Sequence, residues 1–343
     1  MKRLLNTLYV TTEGAYLRRD GETVLVRVAK ETRLRVPIHT LGAIVCFGRV
    51  GASPQLMGLC GERGVAISFM SPRGRFYARV VGPVSGNVLL RRAQYRVADD
   101  EEASAAIAAA AVTGKIANAR AVLQRALRDR PDCEGREDLE RATRRLARLV
   151  ADAAGQRSLD AVRGIEGDAA NHYFGCFNHL ITADEDAFRY ERRSRRPPLD
   201  PLNALLSFLY TLLFHDAAAA LEGVGLDPAV GFLHRDRPGR RSLALDLMEE
   251  LRPVLADRVA LSLVNRRQVR AEGFRTTESG AVLMDDETRK TVLATYQKRK
   301  QEELLHPFVD ERVPAGLLPH VQAMLLARHL RGDLDGYPPF LWK

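Results

Sequence analysis

The sequence predicts an α+β, multidomain chain, with an N-terminal all-β sandwich over residues 1–84 and a larger all-α domain over 85–343. Three observations carry this. Up to about residue 82, short β-branched or alternating runs are separated by Gly, Pro and Asp. The segment GPVSGN, 82–87, then reads as a linker. Beyond it the composition turns to Ala, Leu, Arg and Glu at helical spacing, with few strand formers. With 343 residues and 46% hydrophobic content, the chain has enough apolar material for two cores.

The strands follow in order. NTLYVTT and AYLRR come first, and TVLVRVA follows the turn at Asp20-Gly21. LRVPI, AIVCFG and VAISFM come next, and RFYARVV follows Arg73-Gly74. Between them SPQLMGLCGE, 53–62, breaks the alternation and reads as a short helix, with Ser53 as N-cap and Pro54 in the first turn. Residues 88–343 read as nearly all helical, with loops at RDRPDCEG near 130, RSRRPPLDP near 197 and HRDRPGRR near 237. There is no internal repeat, and the alanine-rich stretch 104–111 reads as a packing helix.

Composition narrows the function classes. No run of about 18 uncharged apolar residues occurs, which argues against a membrane span. The start MKRLLNTLYVTTEG is interrupted by Asn6 and Thr7 and stops before Glu13, unlike a signal peptide, so a cytoplasmic protein without membrane attachment is expected. Cysteines 46, 60, 133 and 176 show no CxxC pair and read as reduced, mostly buried thiols. The formal net charge of +9 favours a polyanionic partner. That charge is uneven: residues 1–87 hold 13 Lys and Arg against 5 Asp and Glu, leaving 39 against 38 in the remainder.

Chemistry is concentrated in two helical stretches. In SLALDLMEELRP, 242–253, Asp246, Glu249 and Glu250 share one side of a helix whose other side is Leu and Met. A solvated acidic face explains that pattern by itself. Against it, no Lys or Arg stands four residues beyond Asp246 or Glu249, so their charges need a more distant partner, and His234 lies just upstream in a Gly/Pro-rich turn. In SLDAVRGIEGDAANHYFGCFNHLI, 158–181, Glu166 falls inside the apolar stripe made by Leu159, Val162, Ala169, Ala170, Tyr173 and Phe177. A lone carboxylate there must be paired, protonated or metal-bound. Pairing with an arginine, Arg163 or one from another helix, remains the structural alternative. Gly164 and Gly167 flank it and would let a ligand approach. Two carboxylates and an imidazole suit Mg²⁺ or Mn²⁺ and phosphoryl-transfer chemistry.

Weaker signals are basic. Arg192, Arg193, Arg195 and Arg196 in ERRSRRPPLD, Arg240 and Arg241, and Lys290 and Lys298 are candidate phosphate contacts on DNA, or simply solvated charges. The remaining histidines show no ligand spacing.

The motifs GIEGDAANHYF, RRSRRPPLDPLNALLSFLYTLL and GLDPAVGFLHRDRPGRRSLALDLMEELRPVLADR, in that order and spacing, resemble the CRISPR-associated spacer integrase, the first Cas protein family. The front-half segments around HTLGAIV, SPQLMGLCGERGVAISFM and GRFYARV resemble its β-domain in type I-C-like members. The resemblance implies a β-sandwich dimerisation domain, a helical metal-dependent catalytic domain and a homodimer. It implies metal ligands at Glu166, His234 and Glu249, where many members have Asp at the third position, an auxiliary role for Asp246, and a surface or salt-bridge role for Glu250. The implied reaction is transesterification, in which the 3′-hydroxyl of a foreign DNA fragment attacks a repeat phosphodiester; water in its place gives endonuclease cleavage. Implied partners are double-stranded DNA, the small ferredoxin-like second Cas protein bridging two dimers, and an iron-sulfur Cas nuclease. Two other functions fit the same residues: a stand-alone branched-DNA repair endonuclease and a non-catalytic DNA-binding scaffold.

Overall fold

The computed structural model describes residues 5–72, 74–80, 82, 88–183 and 186–342. All of the proposed linker except Gly82 lies outside the described residues. The chain divides into two compact units, one within residues 1–85 and 289–297, the other within 86–288 and 298–343.

The first unit has eight strands: β1 Asn6–Val10, β2 Tyr16–Asp20, β3 Thr23–Val28, β4 Glu31–Pro37, β5 Leu41–Phe47, β6 Gly51–Ala52, β7 Ala66–Met70 and β8 Phe76–Val80. Helix α1, Pro54–Glu62, precedes β7; Ser53 caps it by accepting a hydrogen bond from Leu56 N at 3.3 Å. The strands form two four-stranded sheets, ordered β1-β5-β7-β8 and β4-β3-β2-β6. In the first, β1 and β7 run parallel to β5, and α1 supplies part of the crossover. One core joins the sheets and the helix: Val10, Ile44, Cys46 and Ile67 from one sheet, Leu17, Val24 and Val26 from the other, and Leu56, Leu59 and Cys60 from α1. Burial pushes the Cys46 thiol up to about 12 and the Cys60 thiol up to about 11, so both are inert packing groups.

The second unit is dominated by helices: α2 Val88–Asp99, α3 Glu101–Asp129, α4 Arg136–Ala153, α5 Leu159–Gly175, α6 Pro201–Val224, α7 Ser242–Glu249 and α8 Arg258–Asn265. Local sequence sets their starts. Asp100, Ser158 and Asp200 cap α3, α5 and α6 through their side-chain oxygens, and Pro201 opens α6. Helix α3 packs on α2, α4, α5 and α7, and α6 packs on α7 and on α10, Leu318–Leu330. Both α3 and α6 are long and apolar enough to cross a membrane, but each buries 61% of its most apolar window inside the fold, as core helices do. Between α7 and α8, residues Arg252–Asp257 form a π turn.

Two hairpins correct the expectation of an almost wholly helical second half. β9, Phe274–Thr276, pairs with β10, Val282–Met284, and β11, Glu303–His306, pairs with β12, Glu311–Pro314. In the second, Leu304 faces Val313 while Glu303, Leu305, Glu311 and Arg312 are exposed, a two-residue alternation too short to stand out among helices. Helix α9, Asp286–Gln301, lies between the hairpins, and its residues 289–297 group with the first unit.

Candidate active site

All three predicted ligands and Asp246 belong to the helical unit. Glu166 sits midway along α5 with its side chain 30% exposed, and Glu249 ends α7 with 3% exposed. Neither pairs with Arg163, which donates to the Leu233 carbonyl at 2.8 and 3.0 Å and pairs with Asp160 at 2.8 Å. Both carboxylates instead converge on the ammonium of Lys115 from α3. Lys115 Nζ pairs with Glu166 Oε1 and lies 2.7 Å from Glu249 Oε2. The other Glu249 oxygen, Oε1, lies 3.0 Å from Arg252 Nη1. The absence of a basic residue at the fourth position beyond Glu249 therefore did not mean a distant counter-charge alone, because Arg252 stands at the third.

Burial opposes ionisation of Glu249, but Arg252 and Lys115, and then His234, outweigh it and hold its carboxyl well below the usual range. The same balance acts on Lys115: burial works against the ammonium, Glu249 and Glu166 overcome it, and its pKa is raised. The charged forms thus sustain one another, with Glu249 and the Lys115 ammonium largely removed from water and Glu166 at its edge.

His234 lies in the irregular stretch between α6 and α7, and Asp246 fixes both its backbone and its ring. Asp246 Oδ2 accepts from Phe232 N at 2.6 Å and Leu233 N at 2.9 Å, while Oδ1 accepts from His234 N at 3.1 Å and lies 2.6 Å from His234 Nδ1. An ionised carboxylate only accepts, so Nδ1 carries the hydrogen, and in the neutral ring Nε2 keeps its lone pair. Gly231 makes room for this cradle: a Cβ there would meet Asp246 Oδ2, the Ser242 carbonyl carbon and Ser242 Cβ, each at 2.8 Å.

Among the described residues no three His, Cys, Asp or Glu side chains form a ready metal-ligand group. The point where Glu166 and Glu249 meet is taken by the Lys115 ammonium. The donor set nevertheless fits a hard divalent cation: two carboxylates converge on one positive charge and an imidazole is oriented by a carboxylate. A Cβ built on Gly164 or Gly167 meets nothing within 4 Å, but on a helix these positions point about 160° and about 100° away from Glu166, so the space belongs to other faces of α5.

The arginines divide. Arg193 turns inward, donating to Asn203 Oδ1 at 2.5 Å and Ser207 Oγ at 3.1 Å, with its guanidinium over the Tyr210 ring. Arg192, Arg195, Arg196, Lys290 and Lys298 are exposed, and Arg240 and Arg241 are half-buried. The Arg240 pKa is lowered by burial first and then by Arg237, Arg195 and Arg196, with Asp246 acting the other way. Four arginines therefore gather beside the cradle that holds His234. Glu250, expected at the surface, is fully buried. It accepts from Tyr337 OH, from Gln322 Nε2 at 3.0 Å and from Phe340 N at 2.6 Å, and burial pushes its carboxyl up to about 7.

Lys115 and Arg252 were missed by sequence reasoning. Lys115 had a signal of the kind that exposed Glu166: it shares the buried stripe of Ala108, Ala111, Val112 and Ala119 on α3.

The profile described as "CRISPR associated protein Cas1" matches residues 8–298. A "CRISPR-associated endonuclease Cas1 2" of Rhodospirillum rubrum is 56% identical and a "CRISPR-associated endonuclease Cas1 1" of Chlorobaculum tepidum 54% identical, each over the whole of both chains. Among solved structures, a casposase bound to integration product shares the fold at a TM-score of 0.84 and 20% identity, covering 99% of this chain and 95% of that one.

Proposed function

The chain belongs to the CRISPR-associated protein Cas1 family, and from that premise we propose that it serves CRISPR adaptation as an integrase and endonuclease. Glu166, His234 and Glu249 would hold one divalent cation, Mg²⁺ or Mn²⁺. The observation that carries this is the convergence of Glu166 and Glu249 on a single positive charge beside an imidazole already oriented by Asp246.

In the reaction a DNA 3′-hydroxyl attacks a repeat phosphodiester. A new P–O bond forms, the attacking oxygen loses its proton, and the displaced 3′-oxygen leaves and is protonated. The bound cation would stabilise negative charge on the attacking and leaving oxygens. The protein's own part is positional: Asp246 fixes the His234 tautomer and ring, Arg252 orients Glu249, and Arg195, Arg196 and Arg240 form a positive rim suited to phosphates. Water entering in place of the hydroxyl gives cleavage from the same site.

The reading extends to partners. Double-stranded DNA is the substrate, and the domain over 1–84 would pair two copies. Exposed Leu34, Phe76 and Tyr77 on its strands support that role. The small ferredoxin-like second Cas protein would bridge two such dimers, and an iron-sulfur Cas nuclease would trim incoming DNA in a type I-C-like system. The front-half motifs support this placement.

The test is joining and cleavage of a branched DNA that mimics half-site integration, with Mn²⁺, Mg²⁺ or EDTA. Glu166→Ala, His234→Ala and Glu249→Ala are each expected to lose at least about a hundredfold in metal-dependent activity while circular dichroism reports a folded protein. Variants as active as the parent would put the site elsewhere.

A further inference from the structure

Lys115 has no packing reason to be where it is. Its neighbours along the stripe, Ala108, Ala111, Val112 and Ala119, are all buried, and its own side chain is 13% exposed. An ammonium removed from water is strongly unfavourable unless it is paired. Its pairs come from two different helices, Glu166 of α5 and Glu249 of α7. Two carboxylates brought to one point repel, and without a cation between them they would move apart. Arg252 does not meet that need, because it binds Glu249 through Oε1 and leaves Oε2 turned to the ammonium.

Resting on the metal-ligand reading above, the geometry points to Lys115 as the resident counter-cation of the active site: a positioning residue that holds Glu166 and Glu249 together in the metal-free chain and leaves their meeting point when a divalent cation arrives. Ammonium and metal exclude one another by volume and by charge. Lys115 therefore preserves the spacing of the two carboxylates and at the same time weakens metal binding, since each metal must break both ion pairs on entry.

Two readouts that do not use activity test this: thermal unfolding in EDTA, and Mn²⁺ binding followed by the electron paramagnetic resonance of the free ion. Lys115→Met should melt several degrees below wild type in EDTA, and Lys115→Met/Glu166→Gln, which removes one of the repelling charges, should recover most of that loss. Lys115→Met should also bind Mn²⁺ about tenfold more tightly than wild type, because no resident cation has to be displaced. If Lys115→Met does not fold alone, its rescue by Mn²⁺ or by Glu166→Gln supports the proposal, and failure of both overturns it. An unchanged melting temperature in EDTA, or Mn²⁺ affinity no tighter than wild type, also overturns it. A wild-type chain that binds no Mn²⁺, or binds it equally well with Glu166→Gln, overturns the ligand assignment instead, so the two failures are distinct.

Discussion

Asp246 and Asp257 are both buried carboxylates of one helical run, and their surroundings drive them to opposite uses. Asp246 faces four donors through its two oxygens. An asparagine in either orientation sets an NH₂ group against backbone donors, so Asp246→Asn should cost about 2–4 kcal/mol in stability and loosen His234. Metal affinity should fall roughly 10- to 100-fold, measured by Mn²⁺ titration. Asp257 has fewer compensating donors: burial pushes its carboxyl up to about 6, although Tyr210 OH donates to it at 2.6 Å. The folded chain therefore keeps this proton where the unfolded chain, with its pKa near 3.8, has released it. Its stabilising effect is full below pH 3.8 and is lost as pH rises through about 6. Asp257→Asn, which still accepts from Tyr210, should remove on the order of 2–3 kcal/mol from the fall in stability over that window, read by urea unfolding across pH.

At the scale of elements, the site depends on how closely α3 approaches the end of α7. Gly114, next to Lys115, is the contact: a Cβ there would lie 2.9 Å from Pro339 Cβ and 3.1 Å from Glu250 Cβ. One turn further along, Asn118 Nδ2 donates to the carbonyls of Glu250 at 2.7 Å and Phe340 at 2.9 Å, and its Oδ1 accepts from Trp342 N at 2.7 Å. Helix α3, the end of α7 and the C-terminal segment are thus tied at one level, which sets Lys115 opposite Glu249. Gly114→Val should push these elements apart, lower stability by about 1–3 kcal/mol as overpacking does, and reduce strand joining even though the residue touches no ligand. Unchanged joining by a destabilised Gly114→Val protein would show that the spacing is not critical. The π turn Arg252–Asp257 belongs to the same arrangement, since it carries Arg252 to Glu249 and Asp257 to Tyr210.

For the whole molecule, a net charge of +9 combined with a nearly balanced helical half means that phosphate contacts depend on local clusters. DNA affinity should fall steeply with salt, and Arg195→Gln and Arg196→Gln should each lower the slope of log K against log salt by about 0.9 if each meets one phosphate of a duplex. Arg193→Gln should act mainly on stability, because its donors are already engaged with Asn203 and Ser207. Binding isotherms between low and moderate salt separate the two classes.

The sequence by itself determined the succession of strands and then helices, the cap at Ser53, the family motifs, and the anomaly of Glu166 in an apolar stripe. These are local properties, carried by periodicity and by short-range hydrogen bonds. Only the tertiary structure decided that Glu166 meets Lys115, 51 residues away in sequence, that Arg252 takes one oxygen of Glu249, that Glu250 is sealed under the C-terminal segment, and that Arg193 turns inward. Periodicity tells which face of a helix is buried, but which charge it meets depends on the packing partner and the register between helices. That register is set by close approaches such as the one at Gly114, which no single segment encodes alone.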